Sequence, residues 1–164
     1  MQPSRILVSA CLLGEPVRYD GRCKELEYPQ LDELLKQDRV IGFCPEVAGG
    51  LPVPRDAAEI QTGDGYAVLD KLARVISSNG RDVTDCFLQG AHQALALCRQ
   101  HAIRVAVLTE LSPSCGSSQI YDGSFNRIRI HGVGVTTALL ERHGISVFNP
   151  SQIGDAINRL NRVD

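Results

Sequence analysis

Three cysteines each follow a short apolar run with a strand-like composition. They are Cys11 after residues 5–10, Cys44 after residues 40–43, and Cys115, which follows the run 103–108 and a Ser-Pro-Ser turn. Short runs of β-branched and apolar residues are typical of buried strands. In open α/β sheets, ligands bind at the edge where the carboxyl ends of the strands meet. The sequence therefore predicts that three thiols converge on one site.

Converging thiols are compatible with more than one chemistry. Structural zinc usually takes two ligands from one tight turn, but these cysteines are far apart and form no Cys-x-x-Cys pair. Three thiolates also suit catalytic zinc or an iron–sulfur cluster, and a single thiolate suits a nucleophile. From spacing alone, zinc, a cluster and a cysteine nucleophile all stay open.

The other cysteines have a simpler interpretation. Cys86 and Cys98 lie in a predicted helix over residues 82–100, where cysteine serves as a small apolar residue. Cys23 lies in a loop and is not assigned to the predicted site.

Composition and charge limit the class of protein. The hydrophobic fraction of 43% and the charged fraction of 22% are those of a soluble globular protein. The net charge of −2 gives no overall attraction to nucleic acid, so a polynucleotide partner is not expected. No apolar run is long enough for a membrane span, and no secretory signal pattern is present. We therefore expect a cytoplasmic protein with reduced cysteines.

Predicted strands alternate with predicted helices. A fourth strand is expected at 145–148, and helices are expected at 28–36, 82–100, 131–142 and 149–162. Residues 63–69 and 73–76 are interpreted as short strands or a flap, 119–130 as a hairpin, and Pro45 as ending regular structure after Cys44. The pattern predicts an α/β protein with a single domain over residues 1–164. Its mostly parallel sheet has at least four strands flanked by helices, with the cysteines at the carboxyl edge.

Short motifs at and between the cysteines are distributed over most of the chain. They are Val-Ser-Ala-Cys-Leu-Leu-Gly at 8–14, Val-Arg-Tyr-Asp-Gly at 17–21, Phe-Cys-Pro-Glu-Val at 43–47, Ala-Glu-Ile at 58–60, Ser-Pro-Ser-Cys-Gly at 112–116 and Gly-Val-Gly-Val-Thr at 132–136. In combination they resemble the thiouracil desulfidase (TudS) family, formerly a domain of unknown function. One departure is Thr109, where many members of that family have lysine.

The resemblance implies a cofactor and a reaction. The cofactor is a 4Fe–4S cluster held by Cys11, Cys44 and Cys115. The reaction is the hydrolytic removal of sulfur from a small molecule, either a thiolated uracil base or its nucleotide. The soft thiocarbonyl sulfur would bind the iron that has no cysteine ligand. The resemblance assigns cluster ligands at these three cysteines and at no other position of the sequence.

Further site residues are candidates on chemical grounds. Glu46 is a candidate base for a water molecule, and Ser112 is a candidate hydrogen-bond donor or proton relay. Arg18, Arg55 and Ser117 are candidates for substrate binding. A purely structural interpretation stays open for each group: Glu46 caps the turn after Cys44, Ser112 bonds to nearby backbone, and Arg55 forms a solvated ion pair with Glu59. The competing functions are a non-catalytic iron–sulfur sensor or sulfur carrier, and a zinc hydrolase.

Overall fold

Short strands alternate with helices along the chain. The structure is a computed structural model that describes residues 2–23 and 27–162. In chain order the strands are β1 (Ile6–Ser9), β2 (Val40–Phe43), β3 (Ala58–Gln61), β4 (Arg74–Ser77), β5 (Val105–Val107), β6 (Gln119–Tyr121), β7 (Arg129–His131) and β8 (Ser146–Phe148). The helices are α1 (Pro29–Lys36), α2 (Pro45–Ala48), α3 (Gly65–Leu69), α4 (Thr84–Gln100), α5 (Val135–Arg142) and α6 (Ile153–Arg162). Ala10–Leu13 and Pro150–Gln152 form short 3₁₀ helices.

The central sheet has four parallel strands in the order β2-β1-β5-β8. Ser9 lies opposite Phe43, and Val8 lies opposite Val107. Because these partners are at or next to the last residues of their strands, β1, β2 and β5 end at nearly the same level. The prediction of an α/β protein with a parallel sheet of at least four strands is confirmed.

Helices cover both faces of the central sheet. Ile6, Val8 and Val107 belong to a core cluster shared with α1 and α6, and Leu7 and Ala106 belong to a second cluster shared with α4 and α5. This division follows from the alternation of successive strand side chains between the two faces. A ligand therefore approaches this sheet at its edge. Among the described residues, no helix has the length and apolar character needed to cross a membrane.

The short helix α2 lies in backbone contact with the long helix α4. A Cβ atom added to Gly90 would lie 1.9 Å from the carbonyl oxygen of Pro45. One added to Gly49 would lie 2.0 Å from the carbonyl oxygen of Cys86. A side chain at either position would push the two helices apart. The two glycines therefore fix α2, and with it Glu46, against the core.

Two local predictions are wrong. Residues 65–69 form helix α3 rather than a strand or flap, because the Asp64 carboxylate accepts hydrogen bonds from the backbone N–H groups of Tyr66 and Ala67 and caps the helix. Pro45 begins α2 instead of ending regular structure, since proline is well tolerated at the first helical position. The second predicted segment of the flap is strand β4, antiparallel to β3, and the predicted hairpin is confirmed as β6 and β7.

Candidate functional site

A cavity of about 530 Å³ opens at the carboxyl edge of the parallel sheet, and Cys11, Cys44 and Cys115 all line it. Cys11 lies in the 3₁₀ helix after β1, Cys44 lies directly before α2, and Cys115 lies in a turn after β5. Cys11 and Cys115 are only 5% and 4% exposed, and Cys44 is partly buried. None of the three is joined in a disulfide bond. The structure therefore brings together the three cysteines that the sequence singles out.

The remaining cysteines lie elsewhere. Cys98 is buried in the core between α4 and the sheet, where burial raises the pKa of its thiol to about 11. Cys86 is partly buried on α4, and Cys23 is exposed. None of these three cysteines is among the described residues that line the cavity.

Glu110 holds the loop that carries Cys115. Its Oε1 atom accepts hydrogen bonds from the backbone N–H groups of Ser117, Ser118 and Gln119 at 3.0, 3.2 and 3.2 Å, and Oε2 accepts one from the Ser118 hydroxyl at 2.7 Å. Burial raises the pKa of the Glu110 carboxyl, but these hydrogen bonds outweigh burial and hold the pKa below its usual value. The Glu110 carboxylate, which precedes Cys115 in the chain, therefore binds residues 117–119, which follow it, and closes the loop between them.

The start of α5 fixes the same loop from behind. The buried Ser114 hydroxyl shares a 2.8 Å hydrogen bond with the Thr136 hydroxyl, and the Thr137 hydroxyl donates to the Cys115 carbonyl at 2.9 Å. A Cβ atom at Gly134 would lie 2.3 Å from the backbone of Ser114. The glycine therefore allows the cysteine-bearing turn to lie directly on α5.

The pKa values of the thiols indicate what the site can hold. Burial raises the pKa of the Cys115 thiol, and the neighbouring Cys44, Glu46 and Cys11 raise it further. Burial also raises the pKa of Cys44, and the negative charge of Glu46 adds to this, although the Val47 N–H and the Arg55 guanidinium act against it. A nucleophilic cysteine needs a lowered pKa. These directions argue against a cysteine nucleophile but not against metal ligation, since a bound metal deprotonates its thiol ligands outright.

Glu46, Ser112 and Arg55 form one hydrogen-bonded group in the cavity. Arg55 Nε donates to Glu46 Oε1 at 3.2 Å, and the Ser112 hydroxyl donates to Glu46 Oε2 at 3.2 Å. Ser112 Oγ also accepts hydrogen bonds from the backbone N–H groups of Ser114 and Cys115, both at 3.1 Å. The two predicted catalytic side chains are therefore in direct contact, one beside Cys44 and the other beside Cys115.

The predicted substrate-binding residues have different surroundings. Arg18 and Arg55 line the cavity, whereas Ser117 is not among the described residues that do so. The other two nitrogens of Arg55 donate to the carbonyl oxygens of Pro52 and Val17, both at 3.0 Å. The alternative that Arg55 and Glu59 form a solvated ion pair is wrong, because Arg55 pairs with Glu46 and Glu59 is only 8% exposed.

A second group of cavity-lining residues is not predicted from the sequence. Cys11, Cys44, Cys115, Glu46 and Ser112 form what we call the thiol wall. Facing the same cavity are Phe125, Arg127 and Arg129, which come from the β6–β7 hairpin and which we call the hairpin wall. No local pattern in the sequence identifies these residues, because Arg127 precedes β7 and has a left-handed φ of 58°.

The fold and the site define a parallel α/β protein whose thiols converge beyond the ends of its strands. The model of the 2-thiouracil desulfurase family matches residues 6–152, and the chain belongs to this family. The family predicted from the motifs is confirmed.

Two similar proteins cover nearly the whole chain. The uncharacterized protein YbbK of Bacillus subtilis (strain 168) is 38% identical over 152 residues, which span 93% of this chain and 99% of that protein. A solved structure named 4Fe–4S-dependent thiouracil desulfidase TudS is 48% identical, with a TM-score of 0.88 and coverage of 96% of this chain and 98% of that one. The similarity therefore includes every element around the cavity.

Proposed function

We propose that this protein removes sulfur from thiolated uracil bases or nucleotides by hydrolysis, with a 4Fe–4S cluster bound by Cys11, Cys44 and Cys115. The observation that carries the proposal is the convergence of these thiols on one cavity that also contains Glu46 and Ser112. Membership of the 2-thiouracil desulfurase family supports the substrate class. The similar structure named as a 4Fe–4S-dependent thiouracil desulfidase supports the cofactor.

The donor atoms at the thiol wall fit such a cluster. Thiolates are the usual ligands of iron–sulfur clusters, and three of them leave one iron of a four-iron cluster without a protein ligand. In the part of the chain that the structure describes, no group of three or more His, Cys, Asp or Glu side chains is arranged to hold a metal ion. A cluster needs a wider arrangement, because each thiolate binds a different iron. When bound, the cluster supplies an open iron that accepts the thiocarbonyl sulfur as a Lewis acid.

Glu46 is the residue that we assign to activation of water. Arg55 and Ser112 hold its two oxygens, so its carboxylate has a fixed direction in the cavity. A carboxylate held in this way orients a water molecule and accepts its proton while the water oxygen adds to the ring carbon that carries sulfur. Overall one water is consumed, the carbon exchanges its doubly bonded sulfur for oxygen, and the sulfur leaves as hydrogen sulfide.

Ser112 is assigned to hydrogen-bond donation, which holds the Glu46 carboxylate in place. A hydroxyl has one proton to donate and can accept two hydrogen bonds. The backbone N–H groups of Ser114 and Cys115 occupy its acceptor positions, so its proton is directed to Glu46. With both acceptor positions filled, this hydroxyl holds the Glu46 carboxylate by donation, and the proton that Glu46 takes from water returns from Glu46 itself to the ring or to the departing sulfur.

The arginines are assigned separate roles. Arg18 lines the cavity and is the candidate for direct substrate contact. Arg55 uses all three of its nitrogens on the protein, so we infer that it positions Glu46. Substrate contact by Ser117 stays a prediction, since Ser117 is not among the described residues that line the cavity.

Anaerobic purification followed by a turnover assay tests the proposal. The protein should contain iron, absorb broadly in the visible range, and convert a thiouracil to uracil. Uracil rather than sulfide should be measured, because the cluster itself releases sulfide when it decays. In ¹⁸O-labelled water the new carbonyl oxygen should carry the label.

The alternatives give different results in the same experiment. An iron-containing protein that forms no uracil from a thiolated base or nucleotide would be a sensor or sulfur carrier. A colourless protein that contains zinc and retains activity would be a zinc hydrolase.

A further inference from the structure

Glu59 is a buried carboxylate in the cavity that the proposed reaction does not use. It lies on β3, is 8% exposed and lines the cavity. A buried charge is costly unless hydrogen bonds satisfy it. Its Oε1 atom accepts two such bonds, from the backbone N–H groups of Gly123 at 3.0 Å and Phe125 at 3.2 Å. Both donors lie at the tip of the β6–β7 hairpin, so Glu59 joins two elements that are distant in sequence.

Other contacts hold the hairpin tip against β3. Gln61 Nε2 donates to the Gly123 carbonyl at 2.6 Å. Gly123 has a φ of +95°, and a Cβ atom there would lie 2.6 Å from the carbonyl oxygen of Ile60. The backbone of the tip is therefore packed directly on the backbone of β3.

Two residues of the tip have backbone conformations that need such support. Phe125 and Arg127 both have a φ of 58°, a left-handed conformation that is unfavourable for residues other than glycine. Both side chains line the cavity. Since Glu59 binds the N–H of Phe125 itself, the position of the hairpin wall depends on this carboxylate.

The hairpin wall is exposed, whereas Cys11 and Cys115 are buried and Cys44 is partly buried. If the proposed function holds, the thiocarbonyl sulfur lies towards the cysteines, and any group attached to the ring extends towards the hairpin. Arginine and aromatic side chains are suited to a ribose phosphate. We propose that Glu59 is a positioning residue that fixes the hairpin wall and thereby sets the affinity for the part of the substrate beyond the thiouracil ring. This inference rests on the proposed function for its substrate and on the hydrogen bonds of Glu59 for its mechanism.

Kinetics with a thiouracil and with the matching thiouridine 5′-monophosphate test the proposal. Glu59→Ala should raise KM for the nucleotide about tenfold or more, the effect of losing hydrogen bonds to a charged group. Its KM for the free base should change much less than its KM for the nucleotide, and its iron content should stay near the wild-type level. Glu59→Gln should restore most of the nucleotide affinity, because its amide oxygen can accept the same two hydrogen bonds. Equal changes for both substrates, or failure of the glutamine variant to restore affinity, would overturn the proposal.

Asp64→Ala is the matched control. Asp64 also accepts two backbone N–H bonds through one oxygen, and it is not among the described cavity-lining residues. Its loss should destabilise the fold while leaving the ratio of the two KM values unchanged. Should Glu59→Ala fail to fold, Gln61→Ala is the alternative variant. It removes the hydrogen bond from the Gln61 side chain to the tip and should shift the ratio of the two KM values by a smaller factor.

Hydrogen exchange of residues 119–131 tests the positioning role without turnover. Exchange in this segment should rise in Glu59→Ala and should remain as in wild type in Asp64→Ala. Unchanged exchange in Glu59→Ala would overturn the positioning role even in an active enzyme. An absence of uracil formation by the wild-type protein would instead overturn the proposed function, and the exchange result would still decide whether Glu59 holds the tip.

Discussion

The thiol wall and the hairpin wall face the same cavity but are held in different ways. The thiol wall follows the strands of the central sheet and packs on α4 and α5, with Cys11 and Cys115 almost fully buried. The hairpin wall comes from a two-stranded ribbon, and its arginines are exposed. Side-chain hydrogen bonds from Glu59 and Gln61 connect this ribbon to β3.

Under the proposed function, this difference separates two tasks within one site. Metal ligands and a catalytic base need fixed geometry, which a buried sheet edge provides. Contacts to the variable part of a substrate can be placed on an exposed loop, where sequence changes disturb the core least. We therefore expect changes in the thiol wall to affect cofactor content and turnover, and changes in the hairpin wall to affect substrate affinity.

The largest expected effect comes from the cysteines of the thiol wall. Replacing Cys11, Cys44 or Cys115 by serine should abolish or severely reduce both iron content and uracil formation, because serine lacks the thiolate that clusters require. Iron analysis after anaerobic reconstitution measures the first effect. Cys86→Ser is the control, and it should keep iron near the wild-type level. If folded Cys86→Ser lost its iron, the ligand set proposed here would be wrong.

Glu46→Gln should separate catalysis from cofactor binding within the thiol wall. The variant keeps the size of the side chain but removes the base, so kcat should fall by about 10²- to 10⁴-fold. Iron content and the visible spectrum should not change. Glu15→Gln, an exposed substitution outside the cavity, serves as the matched control. Loss of iron in Glu46→Gln would instead assign the residue a structural role, and an unchanged kcat would remove it from the mechanism.

A pair of glycine substitutions compares the two walls directly. Gly90→Ala forces α2 away from α4, since its Cβ would lie 1.9 Å from the Pro45 carbonyl oxygen, and this should displace Glu46 and lower kcat. Gly123→Ala affects the tip through the contact with Ile60 and should mainly raise KM for the nucleotide. Overpacking of this kind typically costs about 1–3 kcal/mol, which urea unfolding measures. The opposite assignment of kcat and KM effects would contradict the division of tasks.

The smallest expected effect is a pH-dependent difference in stability between wild type and Glu110→Gln. Hydrogen bonds from Ser118 and the backbone N–H groups of 117–119 overcome the effect of burial and hold the pKa of Glu110 below its usual 4.5. A carboxyl with a lowered pKa adds stability above its unfolded-state pKa and loses that contribution as the pH falls through its folded-state value. The advantage of wild type over Glu110→Gln should therefore be complete at neutral pH and should decrease below about pH 4.5, as measured by urea unfolding. A difference that is constant down to pH 3 would contradict this.

The sequence predicts the thiol wall well, because its determinants are local. An apolar run directly precedes Cys11 and Cys44 and lies a short turn before Cys115, and the parallel order of the strands brings their ends together. Glu46 is found for the same reason, since it follows Cys44 by two positions. The helix α3 was missed because Tyr66, Val68 and Leu69 resemble a strand when the capping function of Asp64 is not considered.

The hairpin wall depends on contacts that no local pattern contains. Glu59 receives its hydrogen bonds from residues more than sixty positions later, at Gly123 and Phe125. The ion-pair partner of Arg55 also depends on tertiary structure. The loop of residues 51–57 lies against α2 and brings Arg55 within reach of Glu46 rather than Glu59. Tertiary packing decides both pairings, and spacing along the chain does not.

The burial of the thiols also affects how the protein withstands oxidants before a cofactor is bound. Peroxides and similar oxidants attack the thiolate form of cysteine. Burial raises the pKa of Cys44 and of Cys115, so little thiolate exists at neutral pH when no cation is present. Sulfenic and sulfinic acids therefore form slowly at these positions, while the exposed Cys23 offers a more accessible target. If these thiols are the cluster ligands that we propose, we expect Cys44 and Cys115 to be oxidised more slowly than Cys23 before iron and sulfide are delivered.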